Sequence, residues 1–369
     1  MTSNTLAKKH VALIMAGGTG GHIFPGLAIA NQLQKQGWLI HWLGSKGGME
    51  EKIISEKNIS LFLIAITGLR KKGIIGWIKA PLNLASAVYQ SLKIIKECQP
   101  DIVIGFGGFA SGPGGLAAFL LGKKLFIHEQ NAVAGLTNKM LAKFSTKIFQ
   151  AFPNALHHKT CQTIGNPIRA EIKAITKKDK ATEQRAINVL VVGGSRGAMS
   201  LNQFLPKIFS RLLKEKKIKV VHQSGKGNLT ETESNYANQE IQMSEQLQVI
   251  EFIGDIAQSY HWADVVICRA GALTVAEISA VGVAAVFVPY PYAVDDHQTL
   301  NANWLVERGG AILLPQSEMQ SPSGEKKIVQ LLSDVKQINC LAENAKKSAY
   351  LNAVEIMTNA CEDLVKEAA

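Results

Sequence analysis

The segment from His10 to His22, HVALIMAGGTGGH, constrains the fold of this chain more than any other part of it. An apolar run of strand length opens onto four glycines within five positions, and an amphipathic stretch from Phe24 to Gln36 follows. This order predicts a strand, a tight turn and a helix N-terminus. Glycines let the backbone approach a ligand closely, and a helix N-terminus favours negative charge. We therefore expect a phosphate-binding turn here, with His22 projecting beside the ligand.

The same alternation of strands and helices continues along the chain. Short apolar runs predict further strands at Leu39–Leu43, Leu61–Ile66, Asp101–Gly105, Leu125–His128 and Lys147–Phe152. The pattern restarts at Ile187–Gly197 with a second strand that opens onto glycines, and later strands are predicted at Lys219–His222, Val249–Ile253, Val265–Cys268, Ala284–Val288 and Ala311–Leu314. Continuously apolar strands that alternate with helices predict parallel sheets covered on both faces.

Length and spacing together predict two domains. A chain of 369 residues is too long for one comfortable core. The motif Gly165–Arg169 and the charged stretch after it, up to Arg185, predict a linker. We expect an N-terminal Rossmann-like domain over residues 1–168, a C-terminal Rossmann-like domain over 169–348 and a final helix over 349–369 that packs back on the first domain. Two such domains would put a ligand crevice at the carboxyl ends of their strands.

The composition narrows the classes of partner. The chain has 40 Lys and Arg against 29 Asp and Glu, which gives a net charge of +11 and suits nucleic acid, an anionic membrane surface or phosphorylated ligands. No long basic tract or aromatic stacking pattern favours nucleic acid. The five cysteines are scattered and never spaced as CxxC, which predicts free thiols in a reducing compartment and no zinc site.

No segment is typical of a signal peptide or a membrane span. The longest uncharged stretch, between Glu277 and Asp295, contains Gly282 and two prolines. It is predicted to be a helix end followed by a buried strand, and it falls short of the roughly 20 apolar residues that a span needs. Any membrane contact is therefore expected to be peripheral.

The glycine turns do not match the common nucleotide-binding fingerprints. Gly18 and Gly20 supply the start of GxGxxG, but Ile23 stands at its third glycine, and Gly193–Gly197 does not fit either. The strand Leu39–Leu43 is not followed by the acid that would grip an adenosine ribose, and no GxxxxGK[ST] occurs. These absences argue against a dinucleotide-dependent oxidoreductase and a P-loop protein. They leave a nucleotide held through its diphosphate by looser turns.

Further motifs follow other predicted strands. In Gly105–Gly115 seven residues of eleven are glycine or proline, and His128–Asn131 puts four polar side chains at the end of the next strand. Together with five other segments they resemble the signatures of the MurG family of glycosyltransferases, which belongs to glycosyltransferase family 28. The segments are Gly17–His22, Gly107–Gly115, His128–Asn131, Gly165–Arg169, Gly193–Ala198, Arg269–Glu277 and His297–Ala302.

The resemblance implies a GT-B fold with two Rossmann-like domains whose parallel sheets face across a cleft. It implies an inverting transfer of N-acetylglucosamine (GlcNAc) from UDP-GlcNAc to the C4 hydroxyl of the N-acetylmuramic acid (MurNAc) of lipid I, which gives lipid II for peptidoglycan synthesis. The C-terminal domain would bind the donor and the N-terminal domain the acceptor and the membrane. A non-catalytic nucleotide-sugar-binding protein of the same fold is the alternative.

The resemblance also implies roles for individual residues. Arg169 and Ser195 would meet the uracil and diphosphate region, and the backbone of Ile253 would meet the uracil. The start of a helix would face the diphosphate, with Glu277 on the ribose and Gln298 on the sugar. The helix residues concerned are Ala272, Leu273, Thr274, Val275, Ala276 and Glu277. From the first domain, the residues expected to reach the sugar are Thr19, Gly20, Gly21 and Asn131.

Physical reasoning supports several of these roles. A helix N-terminus stabilises the charge on departing UDP without a metal, and the sequence has no DxD motif, so neither a metal nor a cofactor is expected. The adjacent Asp295 and Asp296 are expected to cap the following helix. Inversion requires a base for the acceptor hydroxyl, and His22 is the candidate, with His128 second and equally able to orient its loop. An exposed Glu277 and a surface ion pair at Arg269 are the alternatives to functional roles for those two residues.

One face of the first domain is expected to dock on a membrane. Lys71 and Lys72 precede an apolar stretch with Trp77 and Ile78, and Phe119–Leu121 lies beside two more lysines. The alternative is that Trp77 and Ile78 form the core face of a helix. The resemblance favours docking on the anionic, cytoplasmic face of the bacterial inner membrane, with other cell-wall synthesis proteins as further candidate partners.

Overall fold

The computed structural model describes residues 9–66, 73–175, 180–194 and 197–367, with only the backbone given for residues 73–79. The chain divides into two compact units. One comprises Met1–Arg169 with Leu351–Ala369, and the other Ala170–Tyr350. Each unit is built around its own parallel sheet.

In the first unit, the strands are β1 (Val11–Met15), β2 (Leu39–Ser45), β3 (Ser60–Ile64), β4 (Ile102–Gly105), β5 (Lys124–Glu129), β6 (Lys147–Gln150) and β7 (Cys161–Thr163). They form one sheet in the order β3-β2-β1-β4-β5-β6-β7, and every pair is parallel. The strand order reverses between β1 and β4, so the turns that follow these two strands lie side by side.

Helices cover both faces of this sheet. They are α1 (Gly20–Lys35), α2 (Met49–Ser55), α3 (Gly73–Cys98), α4 (Ser111–Leu120) and α5 (Leu136–Leu141). Successive residues of one strand enter different cores: Ile14 belongs to the cluster that contains Trp42, whereas Leu13 and Met15 belong to the cluster that contains Leu43. This two-sided burial is why the strands read as continuously apolar.

The second unit repeats the plan. Its strands are β8 (Ile187–Val192), β9 (Ile218–Gln223), β10 (Leu247–Ile250), β11 (Val265–Cys268), β12 (Ala284–Phe287) and β13 (Ala311–Leu313). They form a parallel sheet in the order β10-β9-β8-β11-β12-β13, and the order reverses between β8 and β11.

The helices of the second unit are α6 (Ala170–Lys173), α7 (Met199–Lys214), α8 (Leu229–Ala237), α9 (Ile256–Trp262), α10 (Ala272–Val281), α11 (His297–Val306), α12 (Gln316–Met319), α13 (Pro322–Leu332) and α14 (Val335–Lys347). Side chains cap several of them: Asp255 accepts from the amide of Gln258 at 2.9 Å, and Asp334 accepts from that of Gln337 at 2.9 Å. Gly282 ends α10 in the left-handed region, which suits glycine. The uncharged stretch after Glu277 is therefore a helix end followed by the buried strand β12, as the sequence predicts.

The chain returns to the first unit with α15 (Ala353–Glu367), which packs against α1. Met357 and Cys361 are fully buried in the core that contains Trp42. The indole Nε1 of Trp38 donates to Glu362 at 2.6 Å. This last helix thus completes the core of the unit that begins the chain.

Each strand predicted from the sequence overlaps an observed strand, and the two Rossmann-like sheets are confirmed. The sequence analysis missed β7, a three-residue edge strand in which no residue is buried. Burial is what produces an apolar run, so this strand leaves no such signal.

Candidate active site

Two glycine-rich turns meet in the first unit where the strand order reverses. Residues 17–21 follow β1, and residues 106–110 follow the neighbouring β4. A Cβ atom at Gly108 would lie 2.4 Å from the carbonyl oxygen of Gly17, and Gly108 has a φ of 84°. Only glycine allows both the contact and this conformation. The two turns therefore form one packed surface at the carboxyl ends of these strands, where open α/β sheets bind ligands.

His22 lies in the first turn of α1, beside both glycine turns. Its Nδ1 lies 3.2 Å from the carbonyl oxygen of Gly17 and 3.3 Å from the hydroxyl of Thr19. The ring packs over Gly107, where a Cβ would lie 3.3 Å from Nε2. A carbonyl oxygen can only accept, so the contact with Gly17 is a hydrogen bond in the tautomer that carries its proton on Nδ1 and its lone pair on Nε2.

A buried carboxylate that the sequence analysis did not identify supports the first turn. Glu50 is fully buried in α2. Its Oε1 accepts from the amide and the hydroxyl of Ser45 at 2.8 and 2.7 Å, and its Oε2 accepts from the amide of Gly18 at 3.0 Å. Burial raises the pKa of Glu50, but the hydrogen bonds from Ser45 and Gly18 outweigh it and leave this pKa below its ordinary value. The carboxylate is therefore held ionised directly beneath the glycine turn.

His128, at the end of β5, is fully buried. Its Nε2 donates to the carbonyl oxygen of Gly165 at 2.9 Å, and its Nδ1 lies 3.3 Å from the amide nitrogen of Gln130, which leaves Nδ1 to accept. Burial lowers the pKa of His128 to about 4. Both nitrogens of this neutral imidazole are hydrogen-bonded, and one of them joins β5 to Gly165. This arrangement fits a residue that orients its loop better than one that acts as a base.

Glu129 organises the loop that carries Asn131. Its Oε1 accepts from the amide of Asn131 at 2.9 Å, and its Oε2 accepts from the amide of Gly135 at 3.1 Å and the side chain of Asn138 at 2.8 Å. The Asn138 amide also donates to the carbonyl oxygen of His128 at 3.1 Å. The predicted sugar contact Asn131 is thus fixed on the same unit as Thr19, Gly20 and Gly21.

Arg169 is the last residue of the first unit before the chain enters the second. Its guanidinium lies 5.4 Å from the ring centroid of Phe24 in α1. This cation–π contact holds the side chain close to the helix that carries His22.

In the second unit, a glycine-containing turn follows β8, the strand that pairs with β9. Ser195 lies outside the described residues. A Cβ at Gly197 would lie 2.1 Å from the carbonyl oxygen of Ser224 and 2.8 Å from the side-chain amide of Asn228, so the turn after β8 packs directly on the turn after β9. Gly197 has a φ of 73°, which again favours glycine.

A buried polar network that the sequence analysis did not identify supports the contact between the turns after β8 and β9. His222, at 0% exposure in β9, lies 3.0 Å from the hydroxyl of Tyr236 through Nδ1 and 3.1 Å from Oδ1 of Asn202 through Nε2. The amide of Asn202 donates to the carbonyl oxygen of Ser224 at 2.9 Å. Burial lowers the pKa of His222 to about 3, so the ring is neutral. The hydroxyl of Tyr236 therefore donates to Nδ1, and Nε2 donates to Asn202.

The predicted donor helix begins where the sequence analysis put it. Its N-cap is Gly271, which offers no side chain to the first-turn amides, and the side chain of Asn301 donates to the carbonyl oxygen of Ala270 at 3.2 Å. Of the helix residues singled out, the buried ones are Ala272, Leu273, Val275 and Glu277, and the half-buried ones are Thr274 and Ala276. Glu277 is only 3% exposed, so the alternative of a solvated glutamate is wrong.

Arg269, at the end of β11, forms no surface ion pair with the described residues. Its NH1 donates to the carbonyl oxygens of Val288 and Pro289, both at 3.0 Å. Its NH2 donates to Ser200 at 3.0 Å and to Gln316 at 2.8 Å. Burial lowers the pKa of Arg269, although a guanidinium stays charged throughout the physiological range. The residue therefore brings a half-buried positive charge to this edge of the sheet.

The other predicted donor residues follow neighbouring strands. Ile253 is buried just after β10, and Gln298, in the first turn of α11, accepts from the amide of Tyr290 at 2.9 Å. Asp296 is the N-cap residue of α11, but its side chain accepts from the hydroxyl of Thr299 at 2.7 Å and from none of the described backbone amides of this helix. The aspartate pair therefore precedes α11 as predicted, but Asp296 does not form the predicted capping hydrogen bond.

Sequence comparisons identify the family. The Glycosyltransferase family 28 N-terminal domain matches residues 12–150, and the Glycosyltransferase family 28 C-terminal domain matches residues 188–362. A protein of Shewanella piezotolerans is 44% identical over 98% of this chain and 99% of its own length. A protein of Pseudoalteromonas atlantica is 45% identical over 97% of each chain. Both are named UDP-N-acetylglucosamine--N-acetylmuramyl-(pentapeptide) pyrophosphoryl-undecaprenol N-acetylglucosamine transferase.

The chain belongs to glycosyltransferase family 28. Its fold is of the GT-B type, and the crystal structure of Acinetobacter baumannii MurG is similar, with a TM-score of 0.80 and 38% identity over 96% of this chain and 100% of that one. The resemblance to the MurG family that the motifs indicate is therefore confirmed. The glycine turns of both units lie within the matched segments of the family 28 domains.

The first family 28 domain also carries an exposed apolar surface on helices α3, α4 and α5, which pack on one another in that order. All residues from 81 to 86 in α3 are exposed. The apolar members of this surface are Leu82, Leu84, Phe119, Leu120, Leu136 and Met140. Exposed lysines on and beside these helices are Lys124, Lys139 and Lys143. Lys71 and Lys72 lie outside the described residues, as do the side chains of Trp77 and Ile78. No described helix is long and apolar enough to span a bilayer.

Proposed function

We propose that this family 28 enzyme transfers GlcNAc from UDP-GlcNAc to the C4 hydroxyl of the MurNAc of lipid I, which gives lipid II with inversion at the anomeric carbon. The observation that carries the proposal is the identity of 41% to 45% over almost the full length with relatives named for this reaction. A purely binding role for the fold is not favoured, because the whole chain matches transferases.

The donor is proposed to bind mainly at the carboxyl edge of the second unit's sheet. There α10 presents its N-terminus, whose dipole favours the diphosphate. Glu277 would take the ribose hydroxyls, Ile253 the uracil through its backbone, and Gln298 the sugar. Arg169 and Ser195 would contact the uracil and diphosphate region. Ala272, Leu273, Thr274, Val275 and Ala276 would supply the helix start.

The acceptor hydroxyl is proposed to lose its proton to Nε2 of His22. The O4–C1 bond forms as the bond from C1 to the β-phosphate oxygen breaks, and UDP leaves with the electron pair. The Nδ1 contact with Gly17 supports this assignment, because the tautomer that donates to Gly17 has its basic lone pair on Nε2. Thr19, Gly20, Gly21 and Asn131 would hold the sugar, and His128 would orient the loop after β5.

The assignment of His22 can be tested by His22→Ala in a coupled UDP-release assay with a lipid I analogue. We expect turnover to fall on the order of 100-fold or more while UDP binding measured by calorimetry is retained. His10→Ala is the matched control, because His10 is an exposed histidine just before the opposite end of β1. Near-normal turnover of the His22 variant would remove this residue from the role of base.

Peripheral docking on an anionic membrane is proposed for the apolar surface of α3, α4 and α5. The support is a set of exposed apolar side chains rimmed by lysines, since each basic residue near an anionic leaflet contributes about 1 kcal/mol. The cytoplasmic face of the inner membrane is the proposed location, and other cell-wall synthesis proteins are further candidate partners.

Sedimentation with vesicles of phosphatidylglycerol and phosphatidylethanolamine tests this docking. Lys139→Glu with Lys143→Glu is expected to weaken binding by about 10-fold or more. Lys336→Glu, on an exposed position of the second unit, should leave it unchanged. Equal binding to vesicles that lack phosphatidylglycerol would contradict the proposal.

A further inference from the structure

One peptide group joins Glu50 to His22. The amide of Gly18 donates to Oε2 of Glu50 at 3.0 Å, and the carbonyl oxygen of Gly17 lies 3.2 Å from Nδ1 of His22. This N–H and this C=O belong to the same peptide bond, between Gly17 and Gly18. A carboxylate on the N–H side polarises the group and makes its oxygen a stronger acceptor.

The surroundings hold this carboxylate in place. Glu50 is fully buried, and Cβ atoms at Gly17, Gly44 or Gly48 would lie within 2.7 Å of its side chain. Ser45 fixes the other oxygen through two hydrogen bonds. These glycines therefore form a cage that fits a carboxylate and leaves it no room to turn away. Its titratable neighbours along the chain, Lys46, Glu51 and Lys52, are all exposed.

Two groups that contact Nδ1 of His22 favour opposite tautomers. The carbonyl oxygen of Gly17 needs the proton on Nδ1, whereas the hydroxyl of Thr19, 3.3 Å away, can donate to a bare Nδ1. Thr19 is exposed, so its hydroxyl can turn to water. Gly17 is buried, and its carbonyl is the one that Glu50 polarises.

We propose that Glu50 is a positioning residue that sets the tautomer of His22 through the Gly17–Gly18 peptide. Glu50 thereby keeps Nε2 of His22 unprotonated before reaction, and it stabilises the imidazolium that forms when Nε2 takes the acceptor proton. The proton stays on His22, and Glu50 remains ionised throughout. This inference rests on the proposed role of His22 as the base.

The tautomer can be measured on the unaltered protein. In ¹⁵N-histidine-labelled enzyme, with His22→Gln used to assign the signal, neutral His22 is expected to carry its proton on Nδ1. A proton on Nε2 would overturn the proposal. This measurement does not depend on activity, so it is separate from the His22→Ala test. Near-normal turnover of His22→Ala would show that His22 is not the base, whereas a proton on Nε2 in the unaltered protein would show that Glu50 does not set the tautomer.

Glu50→Gln tests the charge. A glutamine cannot accept from all three donors, and we expect turnover to fall about 10-fold to 100-fold, as when a partner that orients a functional histidine is lost. The acid limb of kcat/KM should move to lower pH by about one unit, because the imidazolium loses a nearby negative charge. A merely structural role would lower the amount of active enzyme without moving this limb.

Asp101→Asn is the matched control, since Asp101 accepts from the amide of Val11 at 2.8 Å at the opposite end of β1. Its turnover and pH profile should match the unaltered enzyme. A folded Glu50→Gln enzyme with an unmoved acid limb would overturn the proposal. If this variant does not fold, the tautomer of the unaltered enzyme decides.

Discussion

The free energy of unfolding is expected to fall as the pH is lowered, because His128 and His222 are buried in the neutral form. Replacing His222 by glutamine should remove about half of the loss that these two histidines cause. Burial lowers the pKa of His222 to about 3 and that of His128 to about 4, from an ordinary value of 6.5. The unfolded chain therefore binds more protons below pH 6.5, so the stabilisation is full above this pH and is lost as the pH falls. From pH 7.5 to 5.0 each histidine contributes a loss of about 2 kcal/mol.

Urea unfolding followed by tryptophan fluorescence, at pH 7.5 and at pH 5.0, measures this difference. The two histidines lie in different units, so the loss summed over both units should be about 4 kcal/mol in the unaltered protein, and His222→Gln should remove the roughly 2 kcal/mol that belongs to the second unit. Other titrating groups cancel in the comparison. His261→Gln, an exposed histidine of the same unit, is the control and should keep the full loss. An unchanged loss in His222→Gln would refute the argument that this histidine must stay neutral in the folded state.

Two further predictions concern the first unit. Gly17→Ala puts a Cβ 2.2 Å from Oε1 of Glu50, so we expect it to destabilise the unit by about 2 to 4 kcal/mol in urea unfolding. Gly21→Ala is the control: its Cβ would lie 3.6 Å from the hydroxyl of Thr19 inside α1, so this variant should be neutral or stabilise the unit by up to about 1 kcal/mol. Equal effects of the two substitutions would contradict the proposed cage. Removal of residues 351–369 strips Met357 and Cys361 from the core, and hydrogen exchange is expected to show loss of protection in β1 and β2 while the second unit stays protected.

Most of the fold could be predicted from the sequence because the signals that produce it are local. Strands buried on both faces must be apolar along their length, and the turns that follow them need glycine. The edge strand β7 has neither property, and its pairing with β6 depends on a contact that no local pattern encodes. The end of α10 at Gly282 could be predicted because a left-handed C-cap favours glycine.

The candidate site could be predicted only in part. The turn at Gly17–His22 and the helix start after Gly271 are visible as motifs. Glu50 is not, because a glutamate in Met49–Ser55 reads as the solvated face of a short helix, and its burial depends on Ser45 and Gly18 coming together in space. The nearby glycines at 44 and 48 were the available signal, since neither is needed for a turn alone.

The position of α15 bears on how this protein is made. Ribosomes release the first unit's strands early, yet Met357 and Cys361, which fill its core, emerge only after the whole second unit has been translated. Until α15 is translated, the apolar side chains of α1 that α15 covers in the complete protein stay exposed. During that interval the second unit can fold independently, and the order of maturation runs opposite to the order of synthesis.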